Sequence, residues 1–145
     1  MTTAKDLTKE SPSSPRVRHA GYAILARALD KGRAHLVGSA GGYHFDCPLD
    51  NYLFNFKEVV ADDVKKLLES GLSNNEIAAW LDANGVARTQ AEKDAWSDGM
   101  EAARPYHIPE QKDWFIAVCA EAKIDPAVST LFDYLEADDI VSFTA

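Results

Sequence analysis

Two short segments carry most of the side chains in this sequence that could take part in chemistry. Residues 29–34 read Leu-Asp-Lys-Gly-Arg-Ala, and residues 43–50 read Tyr-His-Phe-Asp-Cys-Pro-Leu-Asp. The first segment supplies a carboxylate and two cations, and the second adds an imidazole, a thiol and two carboxylates. These groups could bind an anion, hold a metal ion or activate a thiol, but their spacing matches no catalytic or cofactor signature.

Basic residues on the first predicted helix favour an anionic partner. Arg16 and Arg18 stand where the helix macrodipole disfavours a cation by about 0.3–1 kcal/mol. An arginine can hold a carboxylate or phosphate through two parallel hydrogen bonds. We therefore predict a site for a small anionic metabolite or an acidic partner segment, formed by the first helix and the following loop. Its predicted residues are Arg16, Arg18, Asp30, Lys31, Arg33, Tyr43, His44, Asp46 and Cys47.

The same cations could instead pair with acids of the chain itself. Arg27 and Arg33 each lie three positions from Asp30, so on a helix that carboxylate could hold both. The basic first third of the chain could also attract the acidic end, which has five carboxylates and no Lys or Arg from Ile124 onward. A structural or protein-interaction module without a small-molecule ligand is therefore an open alternative.

The thiol of Cys47 supports an enzymatic alternative. If Cys47 precedes a helix that begins at Pro48, the positive helix end favours the thiolate, and His44 is close enough in sequence to act as a base. Asp46 and Asp50 flank the thiol and oppose its negative charge. The catalytic candidates of this alternative are Cys47, His44 and Asp46. These crowded groups lack the second ligand pair that a metal site draws from a separate element, so we predict no metal and no cofactor.

Apolar residues at three- and four-residue spacing predict an all-α fold of six or seven helices. The first helix is expected to begin at Val17 and to be stopped by the glycine-rich residues 38–42. A break at Gly32 is the alternative, and it would place a small hairpin over residues 34–37 and 43–47. Residues 1–15 are expected to form a flexible or draped N-terminal arm, and residues 16–145 a single helical domain.

Local signals predict where later helices begin. The pairs Ser73–Glu76 and Thr89–Glu92 have the spacing of capping boxes, each followed by apolar residues. Asp125 and Pro126 are expected to open the last helix, because proline is tolerated at the first helical position.

Composition restricts the class of protein. A chain of 145 residues with 46% hydrophobic and 26% charged residues has the size and balance of one globular domain. Its net charge of -8 disfavours binding to nucleic acid or to anionic membranes. No apolar run approaches the ~18 residues of a membrane span, and the polar start lacks a signal-peptide core. We therefore predict a cytoplasmic protein whose two cysteines, Cys47 and Cys119, stay reduced.

Residues 72–104 have a pattern typical of a helix-turn-helix. The second helix would have to enter the DNA major groove, yet residues 89–104 hold four acidic and two basic side chains, a net charge of -2. This charge argues against DNA recognition, and we predict no nucleic-acid partner.

Four motifs occur in order along the chain: Asp-Leu-Thr-Lys at 6–9, Ser-Pro-Arg at 14–16, and the two segments at 29–34 and 43–50. In this order the sequence resembles a family of small bacterial proteins known only as a domain of unknown function. The resemblance spans nearly the whole chain. It implies no activity, so the functional predictions rest on the residues themselves.

Overall fold

The computed structural model of the chain describes residues 3–143, and in this range the fold is all-α, as predicted. No helix in the described range is long and apolar enough to cross a membrane. A single 3-10 turn lies at Pro105–His107, between the fifth and sixth helices. The helices are α1 (Leu25–Leu36), α2 (Pro48–Lys57), α3 (Ala61–Glu69), α4 (Asn74–Ala83), α5 (Gln90–Ala102), α6 (Pro109–Ala122) and α7 (Leu131–Ser142).

The main core forms around α1. Leu25 and Leu29 are fully buried, and they belong to one apolar cluster with Leu53 and Phe54 of α2 and Val64 of α3. Because Leu25 and Leu29 are four positions apart, they lie on one face of α1 and present that face to the core. α1 packs on α2 and α3, whereas α6 and α7 pack on each other beside this core.

The first helix begins at Leu25, so the predicted start at Val17 is wrong. The backbone groups of His19 and Tyr22 bond to each other, with N to O distances of 3.1 and 3.0 Å. These groups are therefore not available for helical bonds to residues four positions away. The residue before the helix, Ile24, has a φ of +73°, outside the right-handed helical region. The segment before α1 is a turn, although its apolar spacing is that of a helix.

The alternative hairpin over residues 34–37 and 43–47 is also wrong. α1 continues without a break to Leu36, and residues 38–47 form turns before α2. Within residues 3–143 the one isolated β-bridge joins His19 to Tyr22. The Ser39 backbone N–H returns to the carbonyl of Ala34 at 2.8 Å and closes the end of α1.

The N-terminal segment lies against α1 and the loop that follows it. Leu7 is buried, and its backbone N–H donates to the carbonyl of Ser39 at 2.8 Å. The backbone N–H and the hydroxyl of Ser13 both donate to the Asp30 carboxylate, at 2.8 and 2.6 Å. These contacts hold residues 7–13 along one side of the domain.

Both predicted capping boxes are present. The hydroxyl of Ser73 accepts from the Glu76 N–H at 3.1 Å, and the Glu76 carboxylate accepts from the Ser73 N–H at 3.0 Å. Thr89 and Glu92 repeat these two bonds at 3.1 and 3.0 Å. The two boxes satisfy N–H groups that would otherwise lack helical partners, and they set the starts of α4 and α5.

The last helix starts later than predicted. It begins at Leu131 rather than at Pro126, since Thr130 and Asp133 form a third reciprocal capping box. The hydroxyl of Ser129 donates to the carbonyl of Asp125 at 2.7 Å, which closes a separate turn over the predicted start. A threonine at the N-cap and an acidic residue three positions later therefore set the start of α7, as they do for α5.

Candidate functional site

Arg16 and Arg18 bind carboxylates of the chain itself. Arg16 Nε donates to Glu136 of α7 at 2.7 Å, and its Nη2 also contacts Asp133. Arg18 Nη2 donates to Asp98 of α5 at 2.7 Å. The basic first third of the chain does contact the acidic end, as charge complementarity predicts, and the acids of α5 and α7 are the anions that these two arginines hold.

Arg27, Asp139 and Tyr43 form a buried polar group between α1 and α7. Two nitrogens of Arg27 donate to the two carboxylate oxygens of Asp139 at 2.7 and 3.0 Å, and the Tyr43 hydroxyl donates to Asp139 at 2.8 Å. Burial lowers the pKa of Arg27, but its bonds to Asp139 outweigh that effect and the pKa is raised. Burial and the neighbouring Asp139 also raise the pKa of Tyr43. Tyr43 was a predicted site residue, whereas its two partners were not.

Asp30 does not hold Arg27 and Arg33, so that prediction is wrong. Its carboxylate accepts instead from Ser13, and the Lys5 ammonium lies 3.4 Å away. The N-terminal segment passes over Asp30, while Arg27 turns to α7 and Arg33 to the start of α4. The helical spacing permitted both ion pairs, but partners from distant parts of the chain bind these groups.

Lys31 and Cys47 meet at the start of α2. Cys47 is the N-cap residue of α2 and Pro48 its first residue, as predicted. The Lys31 ammonium lies 3.2 Å from Cys47 Sγ and 2.9 Å from Asp50 Oδ1. The side chain of Lys31 is 4% exposed and that of Asp50 is 0% exposed. Asp50 Oδ2 accepts the Asp46 backbone N–H at 3.0 Å, whereas Oδ1 accepts no hydrogen bond of good geometry. Oδ1 is thus held to Lys31 by charge alone.

His44 and Asp46 take separate positions beside this pair. His44 is exposed, and the Asp46 carboxylate accepts from Asn51 Nδ2 at 2.7 Å. Within residues 3–143 it is Lys31, not His44, that provides the side-chain contact to Cys47 Sγ. The acid–base arrangement of a cysteine hydrolase requires a base in hydrogen-bond reach of the thiol, and the imidazole does not supply it here.

Arg33 differs from the other predicted cations because its partners are neutral. Its guanidinium donates to Asn74 Oδ1 at 2.6 Å and to the Leu72 carbonyl at 3.1 Å. None of the carboxylates in the described part of the chain forms an ion pair with it, and burial lowers its pKa against the weaker opposing effect of Asp30. Arg33 lines an open groove of about 580 Å³ between α1 and the end of α3. The groove is lined by Thr3, Ala4, Arg33, Leu36, Val37, Leu68, Glu69, Gly71 and Leu72.

A second polar group, built from two buried side chains around the half-exposed Asp82, lies outside the predicted site. The Tyr22 hydroxyl donates to Asp82 at 2.6 Å, and the Lys93 ammonium donates to the same carboxylate at 3.2 Å. Lys57 is fully buried, its ammonium donates to the Val86 carbonyl at 2.6 Å, and burial lowers its pKa. These contacts join α2, α4 and α5 to the turn before α1. Among residues 3–143, no three His, Cys, Asp or Glu side chains are grouped so that they could hold a metal ion.

The fold and these contacts define a small all-α domain in which most basic candidates are neutralised internally and one arginine faces a groove. The chain belongs to a family described as a domain of unknown function (DUF5069), whose model matches residues 9–141. A comparison with curated proteins finds no match. The membership in a family of unknown function is thereby confirmed, while the bacterial origin and the assignment of the four motifs to the family stay predictions. Residues 6–8 of the first motif lie before the match.

Proposed function

We propose that this domain binds a small anion with an apolar body in the groove beside Arg33. The observation that carries the proposal is the contrast between Arg33 and the other predicted cations. Arg16, Arg18 and Lys31 each contact at least one carboxylate of the chain. Arg33 is 7% exposed, yet within the described residues its hydrogen-bond acceptors are neutral oxygens.

Among residues 3–143 no carboxylate forms an ion pair with Arg33, and Asp30 acts on its charge only from a longer distance. A guanidinium carries five N–H donors, and the bonds to Asn74 and Leu72 use two of its nitrogens. A partly buried cation is destabilised by the loss of water, so an anion that reaches it gains both charge and hydrogen bonds. A ligand carboxylate or phosphate beside Arg33 would therefore place a negative charge in direct contact with the guanidinium.

The walls of the groove define the rest of the ligand. Its volume of about 580 Å³ lies within the range of small-molecule sites, about 300–1,000 Å³. Leu36, Val37, Leu68 and Leu72 provide apolar contact surface, whereas Glu69 places one carboxylate in the lining. Because Glu69 repels a second negative charge, a compact monoanion with a short hydrocarbon portion fits better than a polyanion.

Thermal denaturation with defined probes tests the proposal. Sodium salts of straight and branched carboxylates with up to six carbons, and inorganic phosphate, are titrated against the full chain at constant ionic strength. At least one carboxylate should raise Tm in a saturable manner, since a ligand that binds only the folded state stabilises it. Arg33→Met should weaken that binding by about tenfold or more, because a hydrogen bond to a charged group contributes about 1.5–3 kcal/mol.

Matched variants separate binding from stability. Asn74→Ala removes the hydrogen-bond partner of Arg33 but keeps the guanidinium, so it should lower Tm without abolishing the ligand-induced shift. Glu69→Gln removes the like charge and should strengthen binding of the same carboxylate. An equal shift in wild type and Arg33→Met, or no saturable shift with any probe, would overturn the proposal and favour a structural role for Arg33.

A further inference from the structure

The Lys31–Cys47 contact has no role in the proposed groove. Cys47 is partly exposed, whereas the Lys31 amine is held beneath it, 3.2 Å from Sγ. The Asp50 carboxylate is fully buried, and its Oδ1 lies 2.9 Å from the same ammonium without a hydrogen bond of good geometry. A partly exposed cysteine thus lies against a buried amine, and that amine lies against a buried carboxylate.

We propose that Lys31 and Cys47 form a redox modification site, in which peroxide oxidises the thiol and the amine traps the product as a covalent S–N cross-link. The reactive form of a cysteine is its thiolate, which a helix N-terminus and a neighbouring ammonium both favour. Cys47 is the N-cap of α2 and its Sγ lies 3.2 Å from the Lys31 ammonium, while the carboxylates of Asp46 and Asp50 nearby act in the opposite sense. A sulfenic acid can condense with a nitrogen to give a sulfenamide, and Lys31 is the nitrogen in contact.

The reaction balances with hydrogen peroxide as the oxidant. In the first step the Cys47 thiolate attacks one peroxide oxygen, the S–O bond forms, the O–O bond breaks, and the leaving hydroxide takes a proton to become water. The sulfur loses two electrons and the peroxide gains them. In the second step the Lys31 ammonium gives a proton to Asp50 and the free amine attacks sulfur, so that the S–N bond forms and the S–O bond breaks. The leaving hydroxide takes a proton from the nitrogen of the new S–N bond and departs as water.

The position of the bond determines its structural effect. It would join the middle of α1 to the N-cap of α2 and close the segment 32–46 into a loop. This segment carries Tyr43, which bonds to Asp139 of α7. The cross-link would therefore restrict the connection between α1 and α2, and it should raise Tm because a covalent link limits the unfolded chain.

Peptide mapping by mass spectrometry tests the cross-link. The full chain is treated with hydrogen peroxide, digested without reductant and compared with untreated protein. The expected product links the peptides that contain Lys31 and Cys47, lacks two hydrogens relative to the reduced pair, and returns to the starting mass with dithiothreitol. Cys119 is fully buried in α6, so Cys119→Ser should form the same product and serves as the matched control.

Two variants and three outcomes decide the matter. Cys47→Ser should form no product, and Lys31→Arg, which keeps a cation near Asp50, should give irreversible sulfinic or sulfonic acid at Cys47. Wild type that accumulates these acids with no link to Lys31 would overturn the proposal. A disulfide between two copies through Cys47, or a linked pair that retains an oxygen, would also contradict it. Mapping of the wild-type protein decides these outcomes even if Lys31→Arg fails to fold.

Discussion

Arg27 holds both carboxylate oxygens of Asp139 across 112 positions of sequence. The two donor–acceptor distances are 2.7 and 3.0 Å, and the side chains are 4% and 9% exposed. The Tyr43 hydroxyl adds a third hydrogen bond at 2.8 Å. Since all three groups are removed from most of the solvent, each depends on the others for its hydrogen bonds. This group joins α1, the following loop and α7.

Asp139→Asn should therefore destabilise the domain strongly. Removing one partner of a buried ion pair costs about 3–5 kcal/mol, because the other charge stays buried without compensation. Urea unfolding followed by circular dichroism measures the change in the free energy of unfolding. Asp98→Asn is the control. The side chain of Asp98 is 72% exposed, so the loss of its ion pair with Arg18 should cost at most about 1 kcal/mol. Equal losses in the two variants would contradict the assignment.

Gly85→Ala should be much more destabilising than Gly38→Ala. Both glycines have positive φ, +66° and +76°, so each alanine pays the cost of a left-handed backbone, about 1 kcal/mol. A Cβ at Gly85 would also clash with the Lys57 carbonyl oxygen, whereas a Cβ at Gly38 meets nothing within 4 Å. Thermal unfolding of the two variants compares the close approach directly. A Gly85→Ala protein as stable as Gly38→Ala would show that the backbones of α2 and the α4–α5 turn are not in contact.

Asp138→Asn should stabilise the protein at neutral pH. Burial raises the pKa of Asp138, and the neighbouring Asp139 and Glu121 carboxylates raise it further. A raised pKa means that the protonated form stabilises the fold below about pH 4, and that this contribution is lost as pH rises through the folded-state pKa. The asparagine variant has no charge to bury, so its Tm should exceed that of wild type at pH 7 and approach it at pH 3. A Tm difference that does not change with pH would refute this explanation.

Local sequence signals predicted the elements that depend on neighbouring residues. The Ser73 and Thr89 capping boxes and the start of α2 at Pro48 each involve groups within a few positions, so their geometry follows from spacing alone. The start of α1 did not follow, because the Val17 segment has helical periodicity but its backbone closes a turn between His19 and Tyr22. Periodicity alone does not distinguish a helix from a turn that leads into one, and Val17, the first residue of the predicted stripe, is exposed rather than in the core.

The candidate site depended on contacts that spacing cannot reveal. Arg27 and Asp30 are three positions apart and could have paired, yet Arg27 binds Asp139 and Asp30 binds Ser13. Which partner a charged side chain binds depends on the distant segment that packs against its face of the helix. Spacing did not reveal the neutral partners of Arg33 either. They belong to the α3–α4 turn and to the first residue of α4, about forty positions away in sequence.

The most direct test of the central claim is a two-dimensional ¹H–¹⁵N NMR titration of the labelled full chain with the carboxylate that gives the largest rise in Tm. The proposed groove predicts saturable shift changes confined to residues 33–37 and 68–74, together with the Arg33 side-chain Nε–H, and their loss in Arg33→Met. Saturable changes centred elsewhere, such as residues 43–50 or α7, or no saturable change at all, would contradict binding at Arg33.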